Sequence, residues 1–212
     1  MKEKTYRGKN LFNKTMNLDY SKAERHAFLE INLFPHSLCF HNADYTKELL
    51  KATETLTKLE KLNPHDTTLA KTAAAYLHIG YMYRNKNHEK AGAKLVGNIL
   101  PNFGYNSNEI KTLQGILLSI EKFNPKTKLQ KILCDADSSY LGGGDFFTQR
   151  EQLKLEGRRE GNKISSAKWY EGYLKSLENH KYFTKSAKKL WQKKKEENIA
   201  EMKKFMGFDE GL

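Results

Sequence analysis

The spacing of apolar residues predicts α-helices along most of the chain. Apolar positions recur at steps of three and four over 20–31 and again over 46–62, where lysines and glutamates occupy the opposite face. The same period predicts further helices over 91–100, 110–120, 124–137, 146–155, 167–177 and 184–205. No stretch alternates as a strand would, and no internal repeat is visible. We therefore expect an all-α fold of roughly eight or nine helices.

The most apolar stretch, residues 73–82, predicts the central helix. This helix should start near Pro64, since proline suits a first helical turn and Asn63 or Asp66 can cap it. Its apolar residues run all round, which is typical of a buried helix. It carries His78 and Gly80.

The breaks between helices indicate one domain. Residues 1–18 lack periodicity and are expected to form an arm, 19–205 a single helical domain, and 206–212 a tail. Three glycines at 142–144 predict a tight turn, because neither phosphate-loop nor dinucleotide-binding spacing is present. We expect Cys39 and Cys134 to be reduced and buried, as two cysteines cannot build a disulfide framework.

Composition and charge limit the classes of function. No apolar run approaches the roughly 20 residues that span a bilayer, and no apolar signal region follows the N-terminus, so we expect a cytoplasmic protein without membrane contact. The net charge of +12 is concentrated in 1–14 and 181–204. It favours phosphate-bearing partners, but a solvated lysine face is the simpler interpretation. Nucleic-acid binding by the last helix is disfavoured, because Trp191 shares an apolar stripe with Ala187 and Leu190.

Three histidines and an aspartate pair are the candidate metal-site residues. His41, His78, His88 and the pair Asp135/Asp137 come from separate predicted helices or loops, and divalent-metal sites in helical bundles are assembled in this way. Each group alone is more typical of a structural histidine or a helix cap. The hypothesis therefore depends on their combination.

The context of these residues resembles the metal-dependent HD-superfamily phosphohydrolases, including a bacterial subgroup, over residues from about 30 to 205. The similar segments follow in the same order: FHNADYT (40–46), AYLHIGY (75–81), NHEKAG (87–92), ILCDADSSYLG (132–142), GNKIS (161–165), ENHKYFT (178–184) and KKEEN (194–198). The resemblance implies an HD-domain-like helical bundle, with about 161–205 as its C-terminal helices. It also implies that histidines and aspartates hold one or two divalent ions (Mn, Mg, Fe, Co, Ni or Zn), which activate water against a phosphate ester.

Carried over by position, the resemblance assigns roles to six residues. His41 would be the proton donor near the leaving group, and His78, His88 and Asp137 would be metal ligands. Glu89 or Asp135 would orient the attacking water.

Two departures from the family pattern weaken the expected metal site. Tyr45 stands where the first motif has a ligand histidine, and Leu77-His78-Ile79-Gly80 is one residue too short to keep the His-Asp pair that names the family. A tyrosine hydroxyl is neutral near pH 7 and is a poor ligand. We expect weak or absent metal binding.

Two functions follow from the resemblance. One is a metal-dependent phosphohydrolase with an impaired site that acts on a phosphate-containing small molecule, with a nucleotide as the favoured substrate. The other, slightly favoured with respect to activity, is a catalytically inactive HD-fold module that binds a ligand or serves as a scaffold. The oligomeric state is left open.

Overall fold

The computed structural model describes residues 18–83 and 87–207, and within these ranges the regular structure is entirely helical. The α-helices of the described ranges are α1 (Tyr20–Ile31), α2 (Ala43–Leu59), α3 (Pro64–Tyr76), α4 (His88–Ile99), α5 (Ser107–Glu121), α6 (Lys128–Asp137), α7 (Phe146–Arg159), α8 (Ser166–Asn179) and α9 (Lys185–Phe205). Short 3-10 turns follow α3, α4 and α6. The all-α fold is confirmed. Nearly all of the predicted arm (1–18), and 208–212 of the predicted tail, lie outside the described residues.

Local capping chemistry sets several helix starts. The Asn63 side chain accepts the Asp66 amide and Pro64 opens α3, as the sequence predicted. The start predicted for α6 at 124 was wrong, because Thr127 caps the helix through a reciprocal pair of hydrogen bonds with Gln130.

Helix α3 lies at the centre of the main core and packs against α1, α2, α5 and α6. Its segment from Ala73 to Tyr76 is fully buried, and the Tyr76 hydroxyl donates a hydrogen bond to the Ala23 carbonyl of α1 at 2.9 Å. The prediction of a central helix in this stretch is confirmed.

The predicted helix does not continue through the whole apolar stretch. Helix α3 ends at Tyr76, and after Leu77 and His78 a 3-10 turn covers Ile79–Met82. The turn makes a close backbone approach to α4, since a Cβ on Gly80 would lie 1.8 Å from the His88 carbonyl oxygen. Residue 80 has to be glycine for α4 to pack here. Because a 3-10 turn has three residues per turn, the side chains after His78 do not continue the spacing of α3.

The C-terminal helices build a smaller second core. Phe146 of α7, Leu174 and Leu177 of α8, and Met202 of α9 are buried together there. Helix α9 also packs on the 3-10 turn Ser139–Gly142, where a Cβ on residue 142 would lie 2.4 Å from a backbone oxygen of α9.

Trp191 and the two cysteines differ in how far the fold buries them. Trp191 packs partly buried against the main core, which agrees with its predicted position. Both cysteines are free; Cys134 is buried, whereas Cys39 is only partly buried, so the prediction for Cys39 was wrong. The Cys39 thiol lies 3.2 Å from the Gln152 carbonyl of α7, which keeps it near the surface of that helix. Within the described ranges, no helix is long and apolar enough to cross a bilayer.

Candidate functional site

His41 is held by a buried carboxylate that the sequence did not reveal. Glu156 of α7 accepts the Phe40 and His41 amides at 2.8 and 3.0 Å through one oxygen, and its other oxygen contacts His41 Nδ1. Burial acts to raise the pKa of Glu156, but the hydrogen bonds and charge of His41 outweigh it and lower that pKa. The carboxylate therefore fixes the orientation of the His41 ring.

Glu156 could not be identified from its pattern. It follows directly after the helix predicted over 146–155, and in a polar segment such a residue looks solvent-exposed. Only 3% of its surface is exposed in the structure.

Tyr45 and Asp137 form the second part of the site. The Tyr45 hydroxyl lies 2.7 Å from the Asp137 backbone oxygen and 3.0 Å from its Oδ1. His78 Nε2 lies 3.6 Å from the same Oδ1. Among the described residues, His78 Nδ1 is buried and has no hydrogen-bond partner. These contacts link α2 to the end of α6 and to the break after α3.

Tyr81 joins the histidines into one cluster. Its ring stacks on His88 at 3.8 Å and on His41 at 4.4 Å between ring centroids. The centroid of His41 lies 4.7 Å from that of His78 and 6.4 Å from that of His88. His88 Nε2 lies 3.1 Å from Glu89 Oε1. The fold thus gathers these three histidines, which are distant in sequence; we define the histidine cluster as His41, His78, His88, Tyr45, Tyr81, Glu89 and Asp137.

Asp135 is engaged elsewhere in the fold. Its two oxygens accept the backbone amides of Phe183 and Thr184, each at 2.7 Å. These contacts tie α6 to the start of α9, so the carboxylate has a structural position. The catalytic role suggested for Asp135 stays a prediction.

Burial dominates the electrostatics of the histidine cluster. It raises the pKa of Asp137 to about 6, against the opposing effects of the charge of His41 and the Tyr45 hydrogen bond. Burial, with the charges of His41 and His88, lowers the pKa of His78 well below its usual range. Burial and the Asp137 charge raise the pKa of Tyr45 well above its usual range. Near pH 7, the centre of the cluster holds a neutral tyrosine, a neutral histidine and a carboxylate.

The residues present do not fit the divalent-metal site of the resemblance. Within 18–83 and 87–207, no group of three histidine, cysteine or acidic side chains has a geometry that could hold an ion. Tyr45 donates to Asp137 Oδ1, and His78 with Asp137 supplies only two of the three ligands that the resemblance implies. Two protein ligands fall short of the three that catalytic zinc sites use. The arrangement is instead a hydrogen-bonded polar network.

Comparisons with known proteins support the fold. No family model and no curated protein matches the sequence. A solved structure, described as a predicted HD superfamily hydrolase from an uncultured Thermotogales bacterium, superposes with a TM-score of 0.58 and 15% sequence identity. The match covers 86% of this chain and 91% of that chain. The chain therefore shares the fold of that structure, which is the HD-domain-like helical bundle that the resemblance implied.

Proposed function

We propose that this chain, which has the fold of an HD superfamily hydrolase, is a binding module for a phosphate-bearing small molecule and lacks metal-dependent catalysis. The fold keeps the histidine cluster in place. The donors that would hold an ion, however, are engaged with one another.

The contact between Tyr45 and Asp137 carries this proposal. A phenol must lose its proton to become a good ligand for a divalent ion, and burial beside a carboxylate opposes that loss. Tyr45 therefore remains a donor and engages Asp137 Oδ1, the carboxylate oxygen that also lies 3.6 Å from His78 Nε2. A metal ion between His78 and Asp137 Oδ1 would compete with this buried hydrogen bond.

The ligand class is supported by the chemistry of the cluster and by the resemblance. His41 and His88 each expose more than a tenth of their side chains, so their rings can present donors to an anion. The HD resemblance implies enzymes that act on phosphate esters, and a nucleotide is the favoured candidate. A substrate bound here without a metal ion would lack the metal-activated water that the resemblance implies for hydrolysis.

The test combines binding with turnover. Nucleoside mono- and diphosphates are titrated calorimetrically into the wild type and His41→Ala, and turnover of nucleotides and a generic phosphodiester is measured with Mn²⁺, Mg²⁺, Co²⁺ or Ni²⁺. We expect saturable nucleotide binding that His41→Ala weakens, and no turnover above that of Asp137→Ala. Metal-stimulated turnover that Asp137→Ala abolishes would refute the loss of catalysis. Absence of nucleotide binding would refute the ligand assignment.

Metal-dependent hydrolysis with a rearranged ligand set is the second candidate. It is supported by the close packing of His41, His78 and His88 beside Asp137, all of which the resemblance places in the active site. In this case wild-type turnover should exceed that of Asp137→Ala. Tyr45→His, which restores the ligand type of the family, should raise it further.

A further inference from the structure

We propose a second anion site, separate from the histidine cluster, in a cavity beside α9 that accepts a phosphate or pyrophosphate group. The cavity has a volume of about 530 Å³ and lies where the end of α8 and the following connection meet one face of α9. Lys181, Lys188 and Lys195 line it together with Gln192. This proposal does not depend on whether the histidine cluster binds a ligand or a metal ion.

Lys195 is the unusual residue of this cavity. Only 2% of its surface is exposed, and its Nζ donates to the His180 backbone oxygen at 2.6 Å and lies 5.5 Å from the Tyr182 ring centroid. In the part of the chain that the structure describes, no carboxylate lies within ion-pair distance of this ammonium. A buried charge is costly unless an opposite charge compensates it. A bound anion would provide that compensation.

Lys181 and Lys188 add positive charge on the solvent-exposed side of the cavity, whereas Lys195 is buried. Lys188, Gln192 and Lys195 follow one another at steps of four and three along α9, so their side chains share one helix face. Lys181 reaches the same cavity from the connection after α8. Both Lys181 and Lys188 are exposed, and neither has an ion pair within the described ranges.

One of the two acidic residues that line the cavity is paired with a lysine outside it. Glu178 pairs with Lys203 Nζ at 2.8 Å. Glu196 accepts a hydrogen bond from the neutral Gln192 amide at 2.7 Å and keeps its charge, which acts on Lys195 from beyond ion-pair distance. They therefore compensate the three cavity lysines only in part. A cleft lined by excess charge of one sign attracts a counter-ion.

The size and donors of the cavity define the class of ligand. Its volume falls within the range of small-molecule sites, which is about 300–1,000 Å³. Lysine ammonium groups bind phosphate as point charges and do not need the planar geometry of arginine. A compact anion with two or more charges fits this arrangement better than a carboxylate with a single charge.

The test is calorimetric titration of the full chain with sodium pyrophosphate at two ionic strengths. The test variant is Lys181→Gln combined with Lys188→Gln. The matched control combines Lys189→Gln with Lys193→Gln, which removes the same charge from exposed lysines outside the cavity. These surface substitutions avoid the folding defect that replacement of buried Lys195 could cause.

We expect one saturable site per chain, a loss of affinity of at least about tenfold in the test variant, and a change within about twofold in the control. Asp137→Ala should leave this affinity unchanged, which separates this site from the histidine cluster. Absence of saturable binding, or equal weakening in both lysine variants, would overturn the proposal. Titration of His41→Ala with ADP distinguishes the sources of the phosphate. Binding tighter than that of pyrophosphate, and weakened when Lys181→Gln and Lys188→Gln are added, would assign the group to a nucleotide.

Discussion

Replacement of Asp137 by asparagine should change how the stability of this protein depends on pH. The Asp137 carboxylate is four-fifths buried and accepts the Tyr45 hydroxyl. An asparagine has nearly the same shape and keeps an oxygen for that hydroxyl, but it carries no charge at any pH. The variant therefore isolates the cost of ionising the buried carboxyl.

The magnitude follows from the pKa of Asp137, which burial raises from the ordinary value of 3.8 to about 6. Between these pH values the folded state holds a proton that the unfolded chain has released, so the free energy of unfolding falls as pH rises. The difference between the two pKa values corresponds to about 3 kcal/mol. This loss of unfolding free energy is complete above the folded-state pKa of Asp137. Asp137→Asn should not show the loss, because an asparagine does not ionise.

The assay is urea unfolding followed by circular dichroism between pH 4 and pH 7.5, with a chelator present. Relative to the wild type, Asp137→Asn should gain about 2–3 kcal/mol of stability across this interval. Asp145→Asn, which changes an exposed carboxylate, controls for the loss of one charge. A constant difference between Asp137→Asn and the wild type would refute the reasoning, because the buried carboxyl would then ionise without cost.

Three further substitutions test the packing around the candidate site. Gly80→Ala should lower the free energy of unfolding by about 3 kcal/mol or more in thermal melts, because its Cβ would collide with the backbone of α4. As a control, Gly172→Ala on an open helix face should raise that free energy by about 0.5–1 kcal/mol. Equal effects of the two alanines would contradict the close approach. Glu156→Gln should lower the free energy of unfolding by about 2–3 kcal/mol near pH 7. This difference from the wild type should shrink as pH falls below 4.5, because a carboxyl with a lowered pKa stabilises the fold only while it is ionised. A cost that is independent of pH would argue against its contact with His41. Asp135→Asn should cost about 1–3 kcal/mol in urea unfolding, since an amide oxygen cannot accept both backbone amides as the carboxylate does. An unchanged urea midpoint would contradict a stabilising role of these two hydrogen bonds.

Most of the helices could be predicted because their signals are local. The spacing of apolar residues and the Asn63-Pro64 start require only neighbouring residues, and both agree with the structure. The end of α3 at Tyr76 could not be predicted in this way. The 3-10 turn that follows packs against the α4 backbone at Gly80, and a helical period within one segment contains no information on such a contact.

The candidate site shows the same division between local and long-range information. The motifs around His41, His78 and His88 indicated residues that the fold does bring together. Glu156 and Lys195, in contrast, lie in helices rich in charged residues, where sequence spacing does not distinguish a buried charge from a solvated one. Their burial results from packing between distant helices.

The central claim is that Tyr45 and its neighbours leave no functional site for a divalent ion, and metal stoichiometry tests it most directly. The purified chain is dialysed against Mn²⁺, Co²⁺, Ni²⁺ or Zn²⁺ at roughly 10 µM, and bound metal is measured by mass spectrometry for the wild type and Asp137→Ala. We expect less than about 0.1 ion per chain, with no difference between the two proteins. About one ion per wild-type chain, lost in Asp137→Ala, would contradict it.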